Sequence, residues 1–114
     1  MTIAKELNEI KEKILADLKA KTISLERDRP SFKADPEQLK AYNDERDATL
    51  RTSILVHGRL AGYHVRGSIH YNCPRCALLD GVASTVDPRG RGTSTKDFWG
   101  CDTCGLEVEV LRGV

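Results

Sequence analysis

Cys73, Cys76, Cys101 and Cys104 are the only cysteines in this 114-residue chain, and they stand in two Cys-x-x-Cys pairs with twenty-four residues between them. Each pair can wrap two thiolates around one side of a metal ion, and two pairs close a tetrahedron. A shell of four sulfurs is the one Zn²⁺ takes in structural sites. It leaves no position for a bound water, so such an ion holds a fold together and performs no chemistry. The same residue types have other uses. Disulfides belong to exported chains. The segment after Met1 is charged and has no apolar core, so a cytoplasmic protein with reduced thiols is expected. A thioredoxin-type dithiol would sit in a βαβ pattern, and none is visible. An iron–sulfur cluster takes the same four thiolates, and residue type alone does not separate it from zinc. The spacing favours one structural zinc ion.

Elsewhere the chain offers contact chemistry rather than catalysis. Arg89-Gly90-Arg91-Gly92 lacks the lysine and the strand–helix setting of a phosphate loop. No Ser–His–Asp grouping and no pair of carboxylates in an apolar setting stands out, so an enzyme is not expected. Arg89 and Arg91, with Lys96 and Arg75 adding charge, are the candidates for contact with phosphates or a partner. A solvated, glycine-rich turn accounts for Arg89 and Arg91 equally well. Phe98 and Trp99 are neighbours on an expected strand and face opposite sides. One packs over the metal core, and the other, Trp99 being the candidate, packs on the helices or forms a platform for a partner. His64 and His70 fall on the strand face opposite Val65 and Ile69 and read as exposed, and His57 as a helix residue.

The elements that position these residues divide near Gly62. Residues 1–62 are charged and helical in spacing, and residues 63–114 hold every cysteine and seven of the nine glycines. Ile3, Leu7, Ile10 and Ile14, then Leu15, Leu18, Thr22 and Leu25, mark a helix over about residues 2–29, ended by Pro30. Asp35-Pro36-Glu37-Gln38 is a strong helix start. A second helix is expected over about residues 36–61, with Leu39, Tyr42, Leu50, Ile54, His57 and Ala61 near one stripe. The two form an antiparallel hairpin with Asp28 to Asp35 at its tip. Leu15, Leu55 and Val56 are left over for a second face, which suits a homodimer through the hairpin or packing on the second half. Strands are expected over Tyr63–Tyr71, Leu78–Val86, Thr93–Trp99 and Leu106–Leu111, with residues 87–92 as a turn. The fold class is α+β, a helical hairpin followed by a small antiparallel four-cysteine ribbon. Each half is short for a self-sufficient core, and a metal would supply the second with folding energy.

The second half resembles the zinc ribbons of the transcript-cleavage elongation factor and of small RNA polymerase subunits. The likeness covers roughly residues 71–111. It rests on Cys73-Pro74-Arg75-Cys76, the gap to the second pair, Phe98 before Cys101, Cys104-Gly105 and the position of Arg89. It implies a zinc-bound ribbon and action on a nucleic-acid machine. It does not imply transcript cleavage, because Gly92 and Thr93 stand where the cleavage factors carry an adjacent Asp-Glu. Ala77 also replaces the usual glycine after Cys76. At the level of architecture alone, bacterial factors that enter the polymerase secondary channel also combine a helical hairpin with a second module.

Formal net charge is +1, so neither half carries the basic bias that would by itself announce nucleic acid. No apolar run reaches the length of a membrane span. The expected function is a small zinc-binding regulatory or adaptor protein acting on nucleic acid, or on a machine such as RNA polymerase. The alternative is a protein-interaction module or inhibitor, of the sort phage and mobile elements encode, without nucleic-acid contact.

Overall fold

The computed structural model describes residues 2–31, 33, 35–67, 69–89 and 96–111. Two long helices come first. Helix α1 spans Ile3–Arg27, and Thr2 caps it by accepting a hydrogen bond from the Lys5 amide at 3.2 Å. Helix α2 spans Pro36–Leu60, with Asp35 accepting from the Glu37 amide and Pro36 in the first turn. Both starts follow the capping chemistry expected of Thr and Asp. The Tyr42 hydroxyl donates to the Leu25 carbonyl at 2.8 Å, pinning the start of α2 to the end of α1.

The inward face of α2 differs from the apolar stripe. Leu39, Tyr42, Arg46, Thr49, Ser53, Val56 and Leu60, at alternating steps of three and four, are buried or half-buried, as is Arg59. Leu50, Ile54, His57 and Ala61 are exposed instead. Val56 is fully buried, so it is not available to an outer surface, whereas Leu55 is exposed and Leu15 half-buried. Periodicity located the helix correctly. It chose the wrong face because polar side chains occupy half of the inward positions.

The second half is a four-stranded antiparallel sheet in the order β1-β2-β3-β4, built from Tyr71–Asn72, Thr85–Arg89, Lys96–Gly100 and Glu107–Leu111. Val108 and Val110 on β4 point into the core, and Glu107, Glu109 and Leu111 point out, the alternation expected of a half-buried strand. Two expected strands differ: among the described residues of Tyr63–Tyr71 only Tyr71 joins a named strand, and the strand expected over Leu78–Val86 begins at Thr85 and runs through Arg89, which places Asp87, Pro88 and Arg89 in β2 instead of the expected turn. The Gly67 amide donates to the His70 carbonyl at 2.8 Å, and Arg66 forms an antiparallel bridge with Tyr71. Ile69 is consequently 84% exposed and does not share a covered face with Val65. Arg75–Asp80 is a π-helical turn rather than the start of a strand. An apolar run as short as Ala77-Leu78-Leu79 does not distinguish strand from buried helix by period.

The core joins both halves. Ile3 and Leu7 on α1 pack in one cluster with Cys73, Cys76, Cys101, Val86, Leu106, Val108 and Val110. The π-helical turn packs against α2, where Arg59 Nη1 donates to the carbonyls of Leu78 and Leu79, each at 3.0 Å. The molecule is elongated. Its radius of gyration is 18.1 Å and its extents are 60 × 26 × 20 Å, against about 13 Å for a compact chain of this length. Beyond the base of the hairpin, α1 and α2 run outward as a two-helix rod. No helix among the described residues is long and apolar enough to cross a membrane.

Candidate metal centre

Two structural corners bring the cysteines together. Cys73 follows β1 and Cys76 lies in the π-helical turn. The Ala77 amide donates to the Cys73 carbonyl at 3.1 Å and the Val82 amide to the Cys76 carbonyl at 2.9 Å. Cys101 and Cys104 lie between β3 and β4, where the Gly105 amide donates to the Cys101 carbonyl and the Cys101 amide to the Leu106 carbonyl, both at 2.9 Å. Ser84 links the corners: its carbonyl accepts from the Cys73 amide at 2.9 Å, and its hydroxyl reaches Cys101 and Thr103.

The four Sγ atoms lie within 4.8 Å of one another. Cys73 Sγ is 3.6 Å from Cys104 Sγ, and Cys76 Sγ is 3.7 Å from Cys101 Sγ. A tetrahedron with metal–sulfur bonds of about 2.3 Å has edges of about 3.8 Å. A disulfide would hold its sulfurs at about 2.0 Å. The donor set therefore fits a metal ion of tetrahedral preference. Cys73, Cys76 and Cys101 are buried and Cys104 half-buried, so four sulfurs would fill the shell and a protein core would surround it.

The thiols are not equivalent. Burial pushes Cys76 up to about 11 and Cys73 higher still. Burial also opposes ionisation of Cys101, but hydrogen bonds from the Ser84 hydroxyl and from the Cys104 and Thr103 amides outweigh it and hold this thiol at about 6. Ser84 Oγ sits 3.2 Å from Cys101 Sγ and 2.9 Å from Thr103 Oγ1, so with its one proton on the Cys101 sulfur it accepts from the Thr103 hydroxyl. Nothing in the spacing of the sequence singles out Ser84, which lies seventeen positions before Cys101 and reaches it only through the fold.

The candidate contact residues are dispersed. Arg89 Nη2 donates to Asp102 Oδ1 at 2.7 Å. To reach it the guanidinium crosses Gly100, where any Cβ would collide with Arg89. Lys96 Nζ is 3.5 Å from Glu109 Oε2 across the strand pair. Arg75 is exposed on the π-helical turn. Arg91 lies outside the described residues, as do Gly92 and Thr93. Trp99 is half-buried and meets Tyr71 edge-on, with ring centroids 5.6 Å apart, on the core side of β3. Phe98 takes the opposite side, in register with Arg89 and Glu109. His64 and His70 are exposed, His70 Nδ1 lying 3.7 Å from Asp87 Oδ1, and His57 is exposed on α2. At the hairpin tip Asp28 ends α1 and accepts from the Ser24 hydroxyl, while Asp35 begins α2. In comparisons with protein-family models, curated proteins and solved structures, nothing matches this chain.

Proposed function

We propose that the chain is a zinc-stabilised adaptor that docks on a protein component of a nucleic-acid machine of the RNA polymerase kind. The observation that carries the reading is the pair of sulfur–sulfur distances, 3.6 and 3.7 Å, in a buried set of four cysteines. Zn²⁺ in such a shell would be held by Cys73, Cys76, Cys101 and Cys104 and would cross-link the two corners of the sheet. The reading assigns no catalysis, because four thiolates leave no open position on the metal.

Docking on protein rather than on bare nucleic acid is supported by charge. Arg89 is engaged by Asp102 and Lys96 by Glu109, and the formal net charge is +1. A surface that binds nucleic acid chiefly through phosphates needs uncompensated cations. The resemblance to polymerase-associated ribbons supplies the class of partner.

The experiment is size-exclusion chromatography of the purified, zinc-loaded chain with purified RNA polymerase, and separately with duplex DNA and single-stranded RNA. The chain is expected to comigrate with the polymerase and to leave both nucleic acids unshifted at low salt. Salt-sensitive binding to bare nucleic acid without binding to the polymerase would contradict the reading, as would binding to neither.

A further inference from the structure

The structure leaves one broad face of the hairpin uncovered, and we propose that a second copy of this chain covers it, α2 against α2 in antiparallel orientation. The face is centred on Leu50 and Ile54, which are 44% and 71% exposed. Asp47, Leu50, Arg51 and Ile54 enclose a shallow open hollow. These are positions i, i+3, i+4 and i+7 of one helix, the diamond that receives a side chain when helices interlock. From α1, Glu26 lines the groove beside Leu50, and Ile23, one turn before it and 52% exposed, extends the same side. Thr49, only 4% exposed, lines that groove too, and its hydroxyl has no partner.

Charge selects the occupant. The hollow carries one acid and one base, Asp47 and Arg51, a turn apart along the helix axis. A two-fold axis perpendicular to α2 near residues 50 and 51 brings each Asp47 beside the Arg51 of the other copy, and seats Leu50 and Ile54 of each copy against those of the other. Such a patch is self-complementary, which is what an isologous interface requires. Among the described residues, Asp47 pairs with Arg46 at 3.6 Å, and Arg51 Nε donates to the Asp47 carbonyl at 3.3 Å. Both charged groups therefore remain able to pair outward. The area is adequate. With that axis residues 41–60 of the two helices overlap, and a face roughly 30 Å long and, counting α1 alongside, roughly 20 Å wide offers roughly 600 Å² per copy, the size of the smaller, weaker interfaces.

Sedimentation of the metal-loaded 114-residue chain tests this. At roughly 100 µM, above the micromolar dissociation constants of the weaker interfaces of this size, the mass is expected to be twice the 12.7 kDa of the chain. Ile54→Asp and Leu50→Asp should each give monomers with unchanged helical circular dichroism, since both side chains are exposed. Asp47→Arg and Arg51→Asp should each weaken self-association about tenfold or more. Mixing those two variants should restore association. The arginine introduced in one variant then meets the aspartate introduced in the other, and the native Arg51 of the first meets the native Asp47 of the second. A monomeric wild-type chain would overturn the proposal. So would a dimer that these substitutions leave intact, or charge variants that fail to associate when mixed.

Discussion

The Cys101 thiol and its partner Ser84 set how the centre responds to protons. Cys101 is held near 6 while Cys73 and Cys76 are pushed up by burial. In the metal-free chain at neutral pH, Cys101 is therefore anionic and Cys73 and Cys76 are protonated. Loading a metal must expel both of those protons, and proton release on titration with zinc is expected to show it. The signs for the metal-free fold follow from linkage. Cys101, with its folded value below the unfolded one, contributes stability above about 9 that is lost as pH falls toward about 6. Cys76, shifted the other way, contributes stability below about 9 that is lost as pH rises through about 11. Ser84→Ala removes the hydroxyl donor and should move the Cys101 titration upward, read by thiolate absorbance in the metal-free protein. Two glycines make an opposite-signed pair. Gly105 has a φ of +77° with open space around a would-be Cβ. Gly105→Ala should therefore cost about 1–2 kcal/mol from backbone strain alone. Gly58 sits inside α2, also in open space. There Gly58→Ala should stabilise the monomer by about 1 kcal/mol through helix propensity. Denaturant unfolding of the metal-loaded chain reads both. The four cysteines were legible in the sequence because ligand spacing is a local property. Ser84 was not, because its role exists only once the two corners meet.

At the scale of elements, the π-helical turn depends on α2. Arg59 satisfies the Leu78 and Leu79 carbonyls at the end of that turn, where the backbone has no acceptor-filling partner of its own. Arg59→Met keeps the aliphatic stem and removes the donor. It should cost about 1–3 kcal/mol, the range for a hydrogen bond to a charged group in a partly covered site, and should speed loss of metal to a chelator. Both helices were legible to within two residues, because Ile3, Leu7, Ile10 and Ile14 keep helical spacing in α1 and Asp35 with Pro36 is a strong start signal for α2. The facing of α2 was not. Arg46, Thr49 and Ser53 point inward while Leu50 and Ile54 point out, so the apolar residues trace a surface rather than a core. The closing strand β4 was read correctly because Val108 and Val110 alternate with Glu107 and Glu109. The Arg66–Tyr71 bridge and the π-helical turn Arg75–Asp80 were not, because hydrogen bonds such as Gly67 to His70 and Ala77 to Cys73 carry no periodic signature.

The whole molecule is a rod rooted in the four-cysteine core. Ile3 and Leu7 enter that core from α1, so the hairpin and the sheet are expected to lose structure together. Leu7→Ala, at a fully buried position, should cost about 2–5 kcal/mol and lower the unfolding midpoint followed by helical signal and by Trp99 fluorescence alike. Beyond its root, the rod has a lightly apolar interior, which accords with the uncovered face that the dimer proposal fills. The central claim is that a metal bound by Cys73, Cys76, Cys101 and Cys104 organises this core. Elemental analysis of the 114-residue chain, purified under reducing conditions, tests it most directly. One zinc per chain is expected, falling to none when Cys73 and Cys101 are both replaced by serine. A wild-type chain that carries no metal, or keeps its zinc after that double replacement, would contradict the account.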